Sequence, residues 1–162
     1  MHKVFLGIGG NIGNKKENFR EAYQKIENQL GKIVKKSSVY ESPPWGFHAE
    51  ENFWNQLLII DTEHSPEELL KKIHVIESSF GRKRENPQYS SRKMDIDILY
   101  YDDIFMETEL LTIPHPRIHQ RMFVLIPLAE IAPNRKHPLL RLTSLQMLEY
   151  CKDESVIKKI IS

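Results

Sequence analysis

Cysteine is all but absent: Cys151 is the only one in 162 residues. A lone thiol can neither close an intramolecular disulfide nor build a multi-cysteine zinc site within one chain, so a reducing compartment fits best. Charge of one sign is missing too, since 23 Lys and Arg face 22 Asp and Glu and leave a net +1. That balance gives no global reason to expect nucleic acid or an anionic membrane, and any basic site must be local. No apolar run reaches the ~18 residues needed to cross a bilayer. The opening Met1–Gly7 lacks the apolar core and small-residue cleavage site of a signal peptide, and a cytoplasmic location is expected. Low-complexity tracts, repeats and linkers are absent, and the length suits one domain over residues 1–162. No HExxH, Gly-x-Ser-x-Gly or Cys-His pattern points to zinc hydrolysis or covalent catalysis.

What glycine there is lies together. Gly7, Gly9, Gly10 and Gly13 are four of the seven glycines and follow a short apolar run at 3–8, which reads as a buried strand feeding a tight turn. The third glycine of a dinucleotide fingerprint would fall at Ile12, and no Gly-Lys-Ser/Thr follows, so the cluster is read as structural. Asn14 and Glu17 cap a helix whose apolar positions run from Phe19 to Leu30 and stop at Gly31. A strand is predicted over Ile33 to Glu41, a loop from Ser42 to Asn52, and another strand from Phe53 to about Thr62, with the two strands antiparallel across the loop. Ser65-Pro66-Glu67-Glu68 opens a second helix that ends near Gly81. Beyond lie a short extended piece at Leu110–Ile113, a helical stretch from Arg117 to Ile131 interrupted at Pro127, a short helix from Thr143 and an apolar tail near Val156 to Ile161. Strands and helices interleave without a helix after every strand, which favours an α+β class over a doubly wound sheet.

The sharpest chemical signal is MDIDILYY at 94–101. Side chains alternate across a strand, so Asp95 and Asp97 project on one face with α-carbons about 6.5 Å apart, close enough to share a hard divalent cation such as Mg²⁺. A bare Asp-x-Asp more often marks a solvated strand face. Its neighbourhood changes the balance, because residues 82–93 hold Arg82, Lys83, Arg84, Arg92 and Lys93 against the single acid Glu85. Acids that bind a metal beside bases that bind phosphate suit a metal-bound polyphosphate, although a solvated basic loop stays open as an alternative. Ser42-Pro43-Pro44-Trp45-Gly46-Phe47 and Phe53-Trp54-Asn55 place aromatic surface around one amide, which suits a flat heterocycle or a plugged sheet end. His74 and Glu77 lie one turn apart outside their helix's apolar stripe and face a ligand or, more simply, water; His115 between two prolines, with Arg121 and Phe123 beyond, reads on its own as a structural hydrogen-bonder.

Taken in order, these segments closely resemble the 6-hydroxymethyl-7,8-dihydropterin pyrophosphokinase family of folate biosynthesis. The likeness spans nearly the whole chain. It rests on the opening strand with Gly7, Gly9 and Asn11; Tyr40-Glu41-Ser42-Pro43-Pro44-x-Gly46; Phe53-x-Asn55; Glu77 with Gly81-Arg82-x-Arg84; Arg92-x-x-Asp95-x-Asp97-Ile98-Leu99; and Pro114-His115-Pro116 through Arg121-x-Phe123-Val124-Leu125-x-Pro127-Leu128. The resemblance implies an α+β, ferredoxin-like three-layer α-β-α domain with a mainly antiparallel central sheet. It implies transfer of the β,γ-diphosphate of ATP to the hydroxymethyl group of the reduced pterin, with AMP released. By matching position, Asp95 and Asp97 would bind two Mg²⁺ ions; Arg82 and Arg92 would stabilise the moving charge; His115 and Arg121 would hold phosphate oxygens. Ser42, Pro44, Trp45, Phe53, Asn55 and Phe123 would line the pterin pocket, with Phe53 and Phe123 on its two faces, and His74, Glu77, Arg84, Ile98 and Thr112 would fall near the nucleotide. The chain departs from the family pattern at Gln88-Tyr89-Ser90-Ser91, His74, Leu110 and Trp45.

No covalent enzyme intermediate is needed, and the loops around Trp45 and Arg84 are the expected lids. Small-molecule substrates, ATP and the reduced pterin, are expected as partners, with no nucleic acid and no membrane, and the protein is expected to be a monomer. Two rival classes are a nucleotide-sugar transferase, which generally needs a longer chain, and a ferredoxin-like RNA-binding module, which the near-neutral charge and the acids at 95 and 97 disfavour.

Overall fold

The computed structural model describes residues 1–43, 51–81 and 93–161. Strand β1 (His2–Gly10) is followed by helix α1 (Lys15–Gln29), β2 (Lys32–Lys36), β3 (Val39–Ser42), β4 (Phe53–Thr62), α2 (Pro66–Ser79) and β5 (Asp95–Tyr101). Then come β6 (Met106–Glu107), β7 (Thr112–Ile113), a 3₁₀ turn at Ile118–Gln120, α3 (Met122–Ile131), α4 (Ser144–Tyr150) and β8 (Lys158–Ile161). The main sheet is ordered β5-β1-β4-β3-β8, with β2 also paired to β4, and every pairing is antiparallel.

Local chemistry accounts for three of the helix starts. Asn14 accepts from the Glu17 amide at α1, Ser65 accepts from the Glu68 amide ahead of Pro66 at α2, and Thr143 with Gln146 forms a reciprocal capping box at α4. Hydrophobic alternation divides the sheet into two buried faces. Val4, Leu6 and Ile8 of β1 join Leu58, Ile60, Ile96 and Ile98 beneath the apolar stripes of α1 and α2. Phe5, Leu57, Ile59, Leu99 and Tyr100 pack on the other side against Val124, Leu125 and Leu128 of α3 and Met147 of α4. A register shift between β1 and β5 at Phe5/Leu6 lets the consecutive Leu99 and Tyr100 both enter this second core.

Three expectations change and two are made more definite. The run from Ile33 to Glu41 is two strands, because the chain breaks at Ser37 and Ser38 to meet distant partners: the Leu57 amide donates to Ser37 Oγ, and the Ser38 amide donates to Glu130. Gly7, Gly9 and Gly10 do not turn but continue β1 to its end, and of the clustered glycines only Gly13, with φ +77°, adopts a turn conformation. The stretch from Arg117 breaks at Arg121, which is extended (φ −121°, ψ 110°), and not at Pro127, which α3 carries internally. The tail near 156–161 forms β8 against β3, and the extended piece at 110–113 pairs only through Thr112 and Ile113 with Met106 and Glu107. No helix among the described residues is long and apolar enough to cross a membrane.

Candidate active site

The site starts from a cross-strand row. Gly9 pairs with Asn55 on one side and Asp95 on the other, and Gly7 pairs with Leu57 and Asp97. Paired residues of an antiparallel sheet show the same face, so two glycines form a floor between an amide and two carboxylates, each strand about 4.8 Å from the next. The floor is tight: a Cβ on Gly9 would lie 2.8 Å from Asn55 Oδ1 and 3.0 Å from the Trp54 carbonyl oxygen. Above it opens a cavity of about 490 Å³.

Every described residue assigned to the site from the sequence lines this cavity. Ser42, Phe53 and Asn55 lie at the β3/β4 end, where the Asn55 amide nitrogen donates to Ser42 Oγ at 2.7 Å; Phe123 approaches from α3. Asp95 and Asp97 stand in the middle, both half-buried. His74, Glu77, Ile98 and Thr112 line the β5 edge, with His115 and Arg121 nearby. Pro44, Trp45, Arg82, Arg84 and Arg92, together with both expected lids, lie outside the described residues.

Glu77 corrects the simpler reading of its sequence position, for it is 3 % exposed and does not face water. Its Oε2 accepts the Ile96 amide at 2.9 Å, the peptide N–H between the two aspartates. Among the described residues β5 is the last strand of the sheet on this side, so this N–H points off the edge. The His115 amide donates to the Leu99 carbonyl at 3.0 Å on the same strand. Backbone groups of an edge strand that would otherwise be open are thus tied down on either side of Asp97.

His115 carries its own tautomeric assignment. The Arg117 amide donates to His115 Nδ1 at 3.1 Å, so the proton of the neutral ring belongs on Nε2. Burial first, then the positive charges of Arg121 and Arg117, hold its pKa at about 4 against an ordinary 6.5, while Asp95 pulls the other way. The ring is therefore a neutral donor at pH 7. His137, buried beside Tyr100 and accepting the Leu139 and Leu140 amides, is likewise held at about 4. Between pH 6.5 and 4 the unfolded chain takes up both protons and the folded chain does not, so stability rises with pH across that window. The urea midpoint is expected to fall from pH 7 to pH 5, before Glu130 and Asp153, whose pKa values are lowered, begin to contribute. Equal midpoints at the two pH values would contradict the assignment.

Arg121 occupies the N-cap position of α3 and holds its guanidinium carbon 5.4 Å from the centre of the Phe123 ring. A cation and an aromatic face thus reach the cavity from one helix start. Two carboxylates on one strand face suit an ion that completes its shell with phosphate oxygens and water. That is the chemistry of Mg²⁺. Leu70 and the Thr108–Leu111 turn also line the cavity without having been assigned to it from the sequence; β6 is two residues long, too short for its alternation to show.

Residues 5–133 match the profile of 7,8-dihydro-6-hydroxymethylpterin-pyrophosphokinase. The chain belongs to this family. Relatives of the pyrophosphokinase family include the 2-amino-4-hydroxy-6-hydroxymethyldihydropteridine pyrophosphokinase of Aquifex aeolicus, 42% identical over 158 residues, covering 98% of this chain and 95% of that one. The protein of the same name from Bacillus subtilis is 39% identical over 129 residues, covering 79% of this chain and 77% of that one. Among solved structures, wild-type Plasmodium falciparum HPPK-DHPS superposes with a TM-score of 0.72 at 18% identity, over 92% of this chain and 43% of that chain. At that identity the likeness concerns the fold, and the present chain spans less than half of that longer protein. The fold is accordingly ferredoxin-like, three layers about a mainly antiparallel sheet.

Proposed function

We propose that this pyrophosphokinase-family chain transfers the β,γ-diphosphate of ATP to the hydroxymethyl group of 6-hydroxymethyl-7,8-dihydropterin, in folate biosynthesis. The observation that carries the reading is the continuous row Asn55–Gly9–Asp95, which puts a ring-reading amide and a metal-binding acid in one cavity two strands apart. The pterin ring stacks between Phe53 and Phe123 while Asn55, fixed by Ser42, meets its polar edge. The triphosphate lies over Asp95 and Asp97, where His115 donates from Nε2 and Arg121 supplies positive charge; the nucleoside end extends toward His74, Glu77, Ile98 and Thr112. Mg²⁺ held by Asp95 and Asp97 would polarise phosphate oxygens and acidify the acceptor hydroxyl.

In the reaction the pterin hydroxymethyl oxygen bonds to the β-phosphorus as the bond from that phosphorus to the oxygen bridging the α-phosphate breaks. The hydroxyl proton is released to solvent and AMP departs with the bridging oxygen. Little covalent work falls to the protein, so positioning and charge stabilisation dominate. Arg82 and Arg92 are assigned to that stabilisation, Arg84 to the nucleotide, Trp45 to the pterin pocket, and the loops around Trp45 and Arg84 to closure, on the sequence alone.

The test is product analysis with ATP, Mg²⁺ and the reduced pterin. AMP and a pterin diphosphate are expected in equal amounts. Formation of ADP would overturn diphosphate transfer, and transfer from a sugar nucleotide, or tight RNA binding without AMP release, would replace it with a different class.

A further inference from the structure

Helix α3 begins without a cap of its own, since the Arg121 side chain makes no capping hydrogen bond. The acceptor comes from far along the chain. Asp153 Oδ2 accepts the Met122 amide, the first N–H of the helix, at 2.9 Å. Its other oxygen accepts the Ser155 amide at 3.0 Å and the Ser155 hydroxyl at 2.6 Å, so the carboxylate is held from both sides. These hydrogen bonds keep Asp153 ionised below the usual carboxylate range against the opposing effect of burial. A carboxylate at a helix start is favoured both by the open N–H groups and by the positive end of the helix dipole.

The residues on either side of the capped N–H are the ones that matter to the site. Arg121 precedes Met122 and Phe123 follows it, and both line the cavity. Downstream of Asp153 the same segment becomes β8, pairing Tyr40 with Lys159 and Glu41 with Lys158 on β3, the strand that carries Ser42. One stretch of chain thus joins the aromatic wall from α3 to the polar wall from β3. It lies wholly beyond residue 133, where the family match ends.

We propose that Asp153 is a positioning residue for the acceptor end of the site, fixing Arg121 and Phe123 by capping α3 from the C-terminal segment. The inference rests on the assignment of Phe123 to the pterin. Asp153 touches no substrate; it acts by holding the start of α3 in one place.

The test compares Asp153→Ala and Asp153→Asn with the wild-type chain. It measures pterin affinity with a non-hydrolysable ATP analogue and Mg²⁺, together with amide hydrogen exchange at Met122. Loss of an N-cap acceptor is expected to weaken pterin binding about five- to tenfold in Asp153→Ala and to speed Met122 exchange, whereas Asn, an equally good capping residue, restores affinity to within about twofold. Ser155→Ala, which removes one of the bonds holding the carboxylate, is expected to weaken binding about twofold and carries the same contrast should Asp153→Ala not fold. Wild-type affinity in Asp153→Ala despite faster Met122 exchange, or, where that variant does not fold, in Ser155→Ala, would overturn the positioning role, as would an Asn variant as weak as Ala. No pterin binding by the wild-type chain would instead overturn the function, and the positioning role with it.

Discussion

Asp97→Ala is expected to fold normally and to lose nearly all turnover, by at least about 10³-fold, because a metal's share of transition-state stabilisation is several kcal/mol. Folding survives because the backbone of residue 97 still pairs with Gly7, and the removed carboxylate is half-buried on the cavity face instead of in either core. The loss is expected on the transfer step, since Asp95 alone would leave one strand ligand where the proposed site uses two to fix the ion against the phosphates. Steady-state AMP release at saturating Mg²⁺, beside a thermal melt, separates the two effects. Wild-type turnover at saturating metal would refute the role of the aspartate pair, and a lost melting transition would mean that residue 97 is structural.

Much of this site is legible without coordinates because its strongest constraints are local. The alternation in MDIDILYY decides that Asp95 and Asp97 share a face and that Ile96 and Ile98 take the other, and the structure keeps that division. Asn14, Ser65 and Thr143 announce their helices for the same reason: the cap and its recipient N–H lie within three residues. What escapes a local reading depends on partners distant in sequence. Ser38 breaks a strand because its amide and hydroxyl meet Glu130, which Tyr40 also meets through its hydroxyl. Glu77 looks like a surface acid on its helix until β5 brings the Ile96 amide to it. Glycine misleads in another way: a strand of Gly7, Gly9 and Gly10 has no side chains to alternate, so the pattern that marks a strand vanishes where the strand is most useful.

The usefulness of that bareness can be measured at Gly9. An added Cβ would stand 2.8 Å from Asn55 Oδ1, closer than carbon tolerates, and 3.0 Å from the Trp54 carbonyl oxygen, a tight contact. The carbonyl belongs to β4 and cannot retreat without disturbing the β1 pairing, so the Asn55 amide must yield. Asn55 is only 8 % exposed and its nitrogen is held by Ser42, which leaves rotation away from that bond as its escape. Gly9→Ala is therefore expected to cost about 1–3 kcal/mol of stability, as overpacking does. Because the amide proposed to read the ring edge is turned aside, pterin affinity is expected to fall further, on the order of 10- to 100-fold. Nucleotide affinity, proposed to rest on Asp95, Asp97 and the β5 edge two strands from Asn55, is expected to change much less. Separate titrations of pterin and of the ATP analogue decide the matter: equal losses for both would mean that Gly9 serves the sheet as a whole, whereas a loss confined to the pterin assigns Asn55 to reading it.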